Sequence, residues 1–222
     1  MNQLYIVIGA FGSGKSEYSI NLARELKDKG YKVALADLDV VNPYFRSRDV
    51  KEEFADLGIE VVSPEGALAH ADLPMISPKV RGIINDPSKT VILDVGGDPA
   101  GCRALGRFVD EIRQRGYLMH LVINTKRPFT QDVKGILEIK RSLEAMSELS
   151  ISEFVCNTNL MEHTDLEIIT QGIETVEEAA KQCATMFNEF LVMKRYSKLM
   201  PDSILGKQKR VLIHYLRKPW EV

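Results

Sequence analysis

The octapeptide Gly9-Ala10-Phe11-Gly12-Ser13-Gly14-Lys15-Ser16 stands directly behind the apolar run Leu4-Tyr5-Ile6-Val7-Ile8. It matches the pattern G-x-x-x-x-G-K-[ST] at every fixed position, and it constrains the fold because the pattern works only between a strand and a helix. Its glycines let the backbone curl so that N–H groups point inward at phosphate oxygens. The ammonium of Lys15 is placed to reach β- and γ-phosphates, the Ser16 hydroxyl to ligate magnesium, and the helix that begins there to add its positive N-terminal end. Residues 9–17, through Glu17, are therefore the candidate phosphate-binding set. A chance lysine in a glycine-rich turn would not be expected to satisfy all four fixed positions in this context.

The rest of the chain reads as more of the same architecture. A helix is predicted over 16–29, with Ile20, Leu22, Ala23 and Leu26 apolar and Gly30 where a helix-ending glycine belongs. Tyr31-Lys32-Val33-Ala34-Leu35-Ala36 is a nearly continuous apolar run, as in a parallel strand covered on both faces, and Asp37 is expected to end it. The pattern continues with a helix over 45–57 and strands over 59–62 and 90–93. A helix over 102–115, a strand over 117–123, a long helix over 132–149 and a short strand over 154–156 follow. Thr175-Val176-Glu177-Glu178 reads as a capping box opening a helix to about 185, and strands are expected over 187–193 and 211–216. Strands alternating with helices predict a doubly wound, mostly parallel α/β sheet with helices on both faces, in one domain spanning 1–222. The proline-bearing stretch 63–86 is the least regular part and is read as a lid or partner-facing insertion.

Composition excludes several classes. With 29 basic against 31 acidic residues and a net charge of −2, no specific nucleic-acid partner is expected. No apolar stretch approaches the roughly 18 residues that would span a bilayer. The first strand is expected within a few residues of the start, so no signal peptide is expected. Cys102, Cys156 and Cys183 form no C-x-x-C pair and read as free thiols in a reducing cytoplasm. The four histidines do not cluster at metal-ligand spacing, so His120 and His214 are read as core or sheet-surface side chains. Cys102 lacks a second cysteine at a plausible partner position, so an iron–sulfur cluster would have to be shared between two subunits. Arg46, Arg48, Arg103 and Arg107 are read as surface or ion-paired residues. The charges at 207–210 and 217–218 are read as solvated ends of a closing strand.

Two further segments carry chemistry. Strand 90–93 runs into Asp94-Val95-Gly96-Gly97-Asp98, where a strand-tip carboxylate can hold magnesium through water and Gly97 can bring its N–H to the γ-phosphate. Asp37-Leu38-Asp39 follows the second strand and clusters carboxylates toward the same point, and Asn42-Pro43 then breaks the chain into a loop that could act as a switch. An Asx turn explains Asn42 and Pro43 without catalysis, but it explains the two carboxylates less well.

Taken together, the N-terminal phosphate loop, Asp-x-Asp after strand two and D-x-x-G after a later strand resemble the MinD/ParA/CobQ-type nucleotide-binding domain of the SIMIBI class. Phe154-Val155-Cys156-Asn157-Thr158-Asn159 is similar to the adenine-side strand of the nitrogenase iron protein, with Asn157 at the adenine-binding position. The resemblance covers the chain to about residue 158. It implies ATP and Mg2+ as cofactors, Ser16, Asp37 and Asp94 around the metal, and Lys15, Asp37 and Asp39 as catalytic residues, with Asp39 orienting water. Where that family's loop carries a lysine reaching across a dimer, this chain has Ala10, so a homodimer by the trans-lysine route is not expected. Asn124-Thr125-Lys126-Arg127 has neither the spacing nor the aspartate of a guanine-reading N-K-x-D motif, which favours adenine. The functional expectation is a slow cytoplasmic ATPase switch acting on a protein partner. The alternatives are a small-molecule kinase or ligase with its acceptor site near Ala69-His70-Ala71-Asp72-Leu73-Pro74, a metallochaperone-type NTPase, and a module that holds ATP without turnover.

Overall fold

The computed structural model describes residues 2–38, 47–62 and 78–216. In chain order the elements are β1 (Leu4–Ile8), α1 (Lys15–Asp28), β2 (Val33–Leu38), α2 (Ser47–Asp56), β3 (Glu60–Val62), α3 (Pro78–Ile84), β4 (Thr90–Val95) and α4 (Pro99–Gly106). They continue with α5 (Val109–Arg115), β5 (Leu118–Ile123), α6 (Val133–Ser147), β6 (Glu153–Cys156), α7 (Leu166–Cys183), β7 (Met186–Met193), β8 (Ser203–Ile204) and β9 (Lys207–Leu212). Among the described residues the strands form a single sheet in the order β3-β2-β4-β1-β5-β6-β7-β9-β8, parallel throughout except for the β8–β9 pair. This is the doubly wound, three-layer α/β/α architecture the sequence predicts.

Period-two alternation explains how one sheet serves two cores. Leu4, Ile6 and Ile8 face one side, with Ile83, Leu105, Ile112, Ile136, Ile173 and Val176 of α3 to α7 packed in the same cluster. Val7, Leu35, Ile92, Val122 and Val155 belong to the second cluster, with Tyr18, Leu22 and Leu26 of α1 and Phe54 of α2. Tyr18, Leu22 and Leu26 recur every fourth residue, which is one stripe of a helix. Because β1 lies at the centre of the sheet, the loop that leaves its C-terminal end has β4 and β2 on one flank and β5, β6 and β7 on the other.

Several element boundaries differ from expectation, each for a local reason. Asp37 and Asp94 do not terminate their strands, because pairing continues through Asp37↔Asp94 to Leu38↔Val95. The helix expected over 102–115 is broken into α4 and α5. Gly106 weakens the helix there, and the turn brings Phe108 into the core. Thr175 is no N-cap: it sits within α7, where its hydroxyl donates to the Gln171 carbonyl at 2.9 Å. The helix starts nine residues before the expected cap, at Leu166, and Asp165 accepts from the Ile168 N–H at 2.8 Å. Part of the stretch expected to be irregular is an ordered helix, α3, whose Val80, Ile83 and Ile84 are buried; residues 63–77 lie outside the described residues.

The final strand also comes earlier than expected. β9 pairs in parallel with β7 and turns back from β8 through Leu205 and Gly206, both at positive φ, as a two-residue type I′ turn requires. Its charges are not all solvated ends. Lys209 donates to the Ser197 and Met200 carbonyls, Lys207 to the Phe187 carbonyl, and Arg210 pairs with Glu189 and Glu25. Arg210 is thereby drawn toward a buried polar group that includes Tyr18 and His120. The Tyr18 hydroxyl donates to Glu189 and meets His120 Nδ1, both at 3.0 Å.

Candidate functional site

The loop from Gly9 to Lys15 is shaped by contacts that tolerate only hydrogen at specific positions. Gly12 and Gly14 have φ of 73° and 88°, the left-handed region in which a side chain is strained. A Cβ on Gly9 would lie 2.5 Å from the Val122 carbonyl oxygen of β5. A Cβ on Gly97 would lie 1.9 Å from the Gly9 carbonyl oxygen, so the D-x-x-G turn after β4 rests directly on the start of the phosphate loop. Asp98 then caps α4, accepting from the Gly101 N–H at 3.1 Å.

On the other flank, the loops after β5 and β6 hold the far side of the phosphate loop. Asn157 Nδ2 donates to the Ser13 carbonyl at 2.7 Å and stands where a Gly14 Cβ would have to be. Arg127 Nε donates to the Gly12 carbonyl at 3.2 Å. These two loops are themselves laced together. Buried Asn124 donates to the Asn159 carbonyl and accepts from the N–H groups of Lys126 and Asn159, Asn159 donates to the Asn157 carbonyl, and the hydroxyls of Thr125 and Thr158 meet at 3.0 Å.

The structure places those of the sequence-derived site residues that it describes as follows. Lys15 and Glu17 are buried in the first turn of α1, with Ser16 half-buried between them; Ser13 is buried and Phe11 is 72% exposed. Ala10 is buried, so a core methyl occupies the position of the trans lysine. Asp37 and Asp94 are direct register partners on adjacent parallel strands, and both are buried. In-register partners point to the same face, so the two carboxylates share one side of the sheet, Asp94 one strand and Asp37 two strands from β1 and its loop. Asp39, Asn42 and the suggested acceptor stretch 69–74 lie outside the described residues. His214 is exposed, whereas His120 is buried, and burial lowers the His120 pKa to about 4. Cys102 is buried near the Asp98 turn, and burial raises its thiol pKa to about 11, which disfavours a reactive thiolate. Among the described residues, no group of three or more His, Cys, Asp or Glu is disposed to hold a metal ion.

A cavity of about 290 Å3 opens on the β5–β6–β7–β9 flank of the loop. Gly12, Gly14, Lys15, Ser16 and Glu17 form one part of its lining, and Arg127, Asn157 and Thr158 another. Leu191, Val192, Met193 and Leu212 provide an apolar part, with Arg195 and Tyr196 beside it. The loop thus lies between paired carboxylates on one side and a half-apolar cavity on the other. Sequence reading found Asn157 through its resemblance but gave no role to Arg127 or Asn124. The strand-end position of Asn124, facing that of Asn157 one strand over, was the available signal.

Comparison with known proteins agrees with this fold. The chain resembles FtsY, a cell division protein, from Thermotoga maritima, with a TM-score of 0.61 at 20% identity over 86% of this chain and 62% of that one. It resembles the signal recognition particle 54 kDa protein from Aeropyrum pernix in complex with GDP, with a TM-score of 0.58 at 18% identity over 92% of this chain and 42% of that one. It also resembles a nucleotide-binding protein from Archaeoglobus fulgidus in complex with ADP, with a TM-score of 0.51 at 15% identity over 85% and 81% of the two chains. The chain spans about six-tenths of the FtsY chains it matches. No curated protein matches by sequence. No helix among the described residues is long and apolar enough to cross a membrane. The family model for the CobQ/CobB/MinD/ParA nucleotide-binding domain matches residues 4–196, and the chain belongs to that family.

Proposed function

We propose that the chain is a magnesium-dependent ATPase that turns over slowly and acts in the cytoplasm as a nucleotide-dependent switch on a protein partner. The observation that carries this reading is the position of the phosphate loop, with Asp37 and Asp94 in register on one flank and the cavity on the other. That arrangement gives a bound nucleotide a direction: base and ribose toward the cavity, terminal phosphate toward the carboxylates. The inward-curled backbone and Lys15 neutralise the phosphates, and the start of α1 adds its positive end. Ser16, Asp37 and Asp94 supply the hydroxyl and carboxylate oxygens that a hard divalent cation favours. Bound there, Mg2+ would offset charge developing on the phosphate oxygens. Gly97, resting on Gly9, can report the terminal phosphate to the D-x-x-G turn, and Asp39 is the water-orienting residue by family resemblance.

The preference for ATP rests on the end of β6. Reading guanine takes a carboxylate to accept from its ring N–H and amino group, and this strand ends in the amides of Asn157 and Asn159. Of the carboxylates lining the cavity, Glu17 is engaged with backbone amides and Glu162 is exposed. The three free cysteines fit a reducing compartment. Hydrolysis of ATP and GTP with Mg2+, measured for the wild type and for Asp37→Asn and Asp39→Asn, tests the proposal. Slow ATP turnover abolished by either substitution supports it. Equal turnover in all three proteins, or turnover of GTP alone, overturns the mechanism or the nucleotide respectively.

A further inference from the structure

Beyond β9 the chain turns onto α1. Asn21 grips Ile213 from both sides, accepting from its N–H at 2.8 Å and donating to its carbonyl at 2.9 Å. One turn earlier on the same helix, the Glu17 carboxylate accepts from the N–H groups of Tyr215 and Leu216. One turn later Arg24 donates to the Tyr215 hydroxyl at 3.1 Å, and the Tyr215 ring stands edge-on to Phe54 of α2. Glu17, Asn21 and Arg24 are spaced i, i+4, i+7, so a single stripe of α1 holds residues 213–216. The same short segment contributes to the cavity, where Leu212, His214 and Leu216 join Glu17 in its lining.

The chemistry of Glu17 makes this arrangement informative. A carboxylate placed directly after Lys15-Ser16 would repel a triphosphate in the loop. The amides of Tyr215 and Leu216 engage both of its oxygens and draw its charge toward the C-terminal segment. Burial pushes the Glu17 carboxyl up, and those two amides with His214 pull it back.

We propose that residues 213–216 form a wall of the nucleoside half of the pocket, and that Glu17 is the positioning residue that hangs this wall on the phosphate-binding helix. The inference rests on the nucleotide-binding reading above and adds a base-side role for the C-terminal segment. Phosphate recognition belongs to the loop and base recognition partly to the strap, so the two can be separated by the ligand used.

The experiment titrates ATP with Mg2+, GTP with Mg2+ and inorganic tripolyphosphate into wild type, Glu17→Ala, Glu17→Gln and Asn21→Ala. Amide hydrogen exchange of residues 213–216 is followed in parallel. In Glu17→Ala the Tyr215 and Leu216 amides should exchange faster and ATP affinity should fall about tenfold, as expected for losing charge-assisted hydrogen bonds. Tripolyphosphate affinity should hold or improve, since a negative charge beside the loop is gone. Glu17→Gln, which keeps one acceptor oxygen, should fall between. Asn21→Ala lies outside the cavity lining and should show the same split between ATP and tripolyphosphate. If ATP and tripolyphosphate weaken together, Glu17 serves the phosphates and the proposal is wrong. It is equally wrong if exchange accelerates while ATP affinity holds. Wild type that binds ATP no more tightly than tripolyphosphate refutes the wall alone; wild type that binds no nucleoside triphosphate refutes the nucleotide-binding reading itself.

Discussion

Replacing Gly97 by alanine would put a methyl group 1.9 Å from the Gly9 carbonyl oxygen and 3.1 Å from Ala10 Cα. Carbon-to-carbonyl contacts settle no closer than about 3.3 Å, so the D-x-x-G turn and the phosphate loop must part by about 1.4 Å. Neither side yields easily, because the atoms met are backbone and Gly9 is also backed by the Val122 carbonyl. A shift of this size at a positioning element typically costs about a hundredfold, or roughly 2.7 kcal/mol, in ligand-directed geometry. Overpacking should also lower stability by about 1–3 kcal/mol. The assay is ATP titration with Mg2+ by calorimetry, paired with urea unfolding. Gly82→Ala is the matched control: it lies in α3 with nothing within 4 Å of the added Cβ, and it should stabilise by about 0.5–1 kcal/mol without touching affinity. Wild-type affinity in Gly97→Ala, with stability also unchanged, would refute the apposition of the two loops.

Asn157→Ala removes the amide that holds the Ser13 carbonyl at 2.7 Å, and ATP affinity should drop about tenfold while tripolyphosphate affinity drops too, since the phosphate loop itself loosens; loss confined to ATP would assign Asn157 to the base alone. His120 gives a pH signature. Its folded pKa of about 4 lies below the usual value of 6.5, so the unfolded chain binds more protons between those limits and stability falls as pH drops from 6.5 to 4. From those two values the loss at pH 5 is about 2 kcal/mol relative to pH 7.5. His120→Phe should remove that part of the slope in urea unfolding, and parallel wild-type and variant profiles would show that His120 does not titrate in this window. Asp94→Asn should lower Mg2+-dependent turnover far more than nucleotide affinity, which steady-state kinetics and calorimetry can separate; equal losses in both would assign Asp94 to binding.

Much of this molecule could be read from its sequence because its strongest signals are local. The phosphate loop needs particular residues at consecutive positions, and the buried parallel strands are short apolar runs that need no distant partner to be recognised. What was missed depends on contacts far apart in sequence. Thr175-x-x-Glu has the form of a capping box, yet Thr175 can equally bond back to Gln171 in mid-helix, and only the packing of Ile169 and Ile173 decides between the two. β9 carries Lys207, Lys209 and Arg210, which argue against a strand until carbonyls at 187, 197 and 200 and the Glu189 carboxylate are brought to them. Asp37 and Asp94 were legible as strand-end carboxylates, but their direct pairing is a matter of register, which no single strand encodes. The grip of Arg127 on Gly12 likewise joins residues 115 positions apart.

The central claim is that residues 9–16 hold a triphosphate through Lys15, whose charge serves the ligand. Calorimetric titration of ATP with Mg2+ into wild type and Lys15→Ala, at matched folded fraction by circular dichroism, tests it most directly. The account predicts saturable one-site binding to wild type and loss of tight binding in Lys15→Ala with the fold intact. Equal affinity for the two proteins would contradict it.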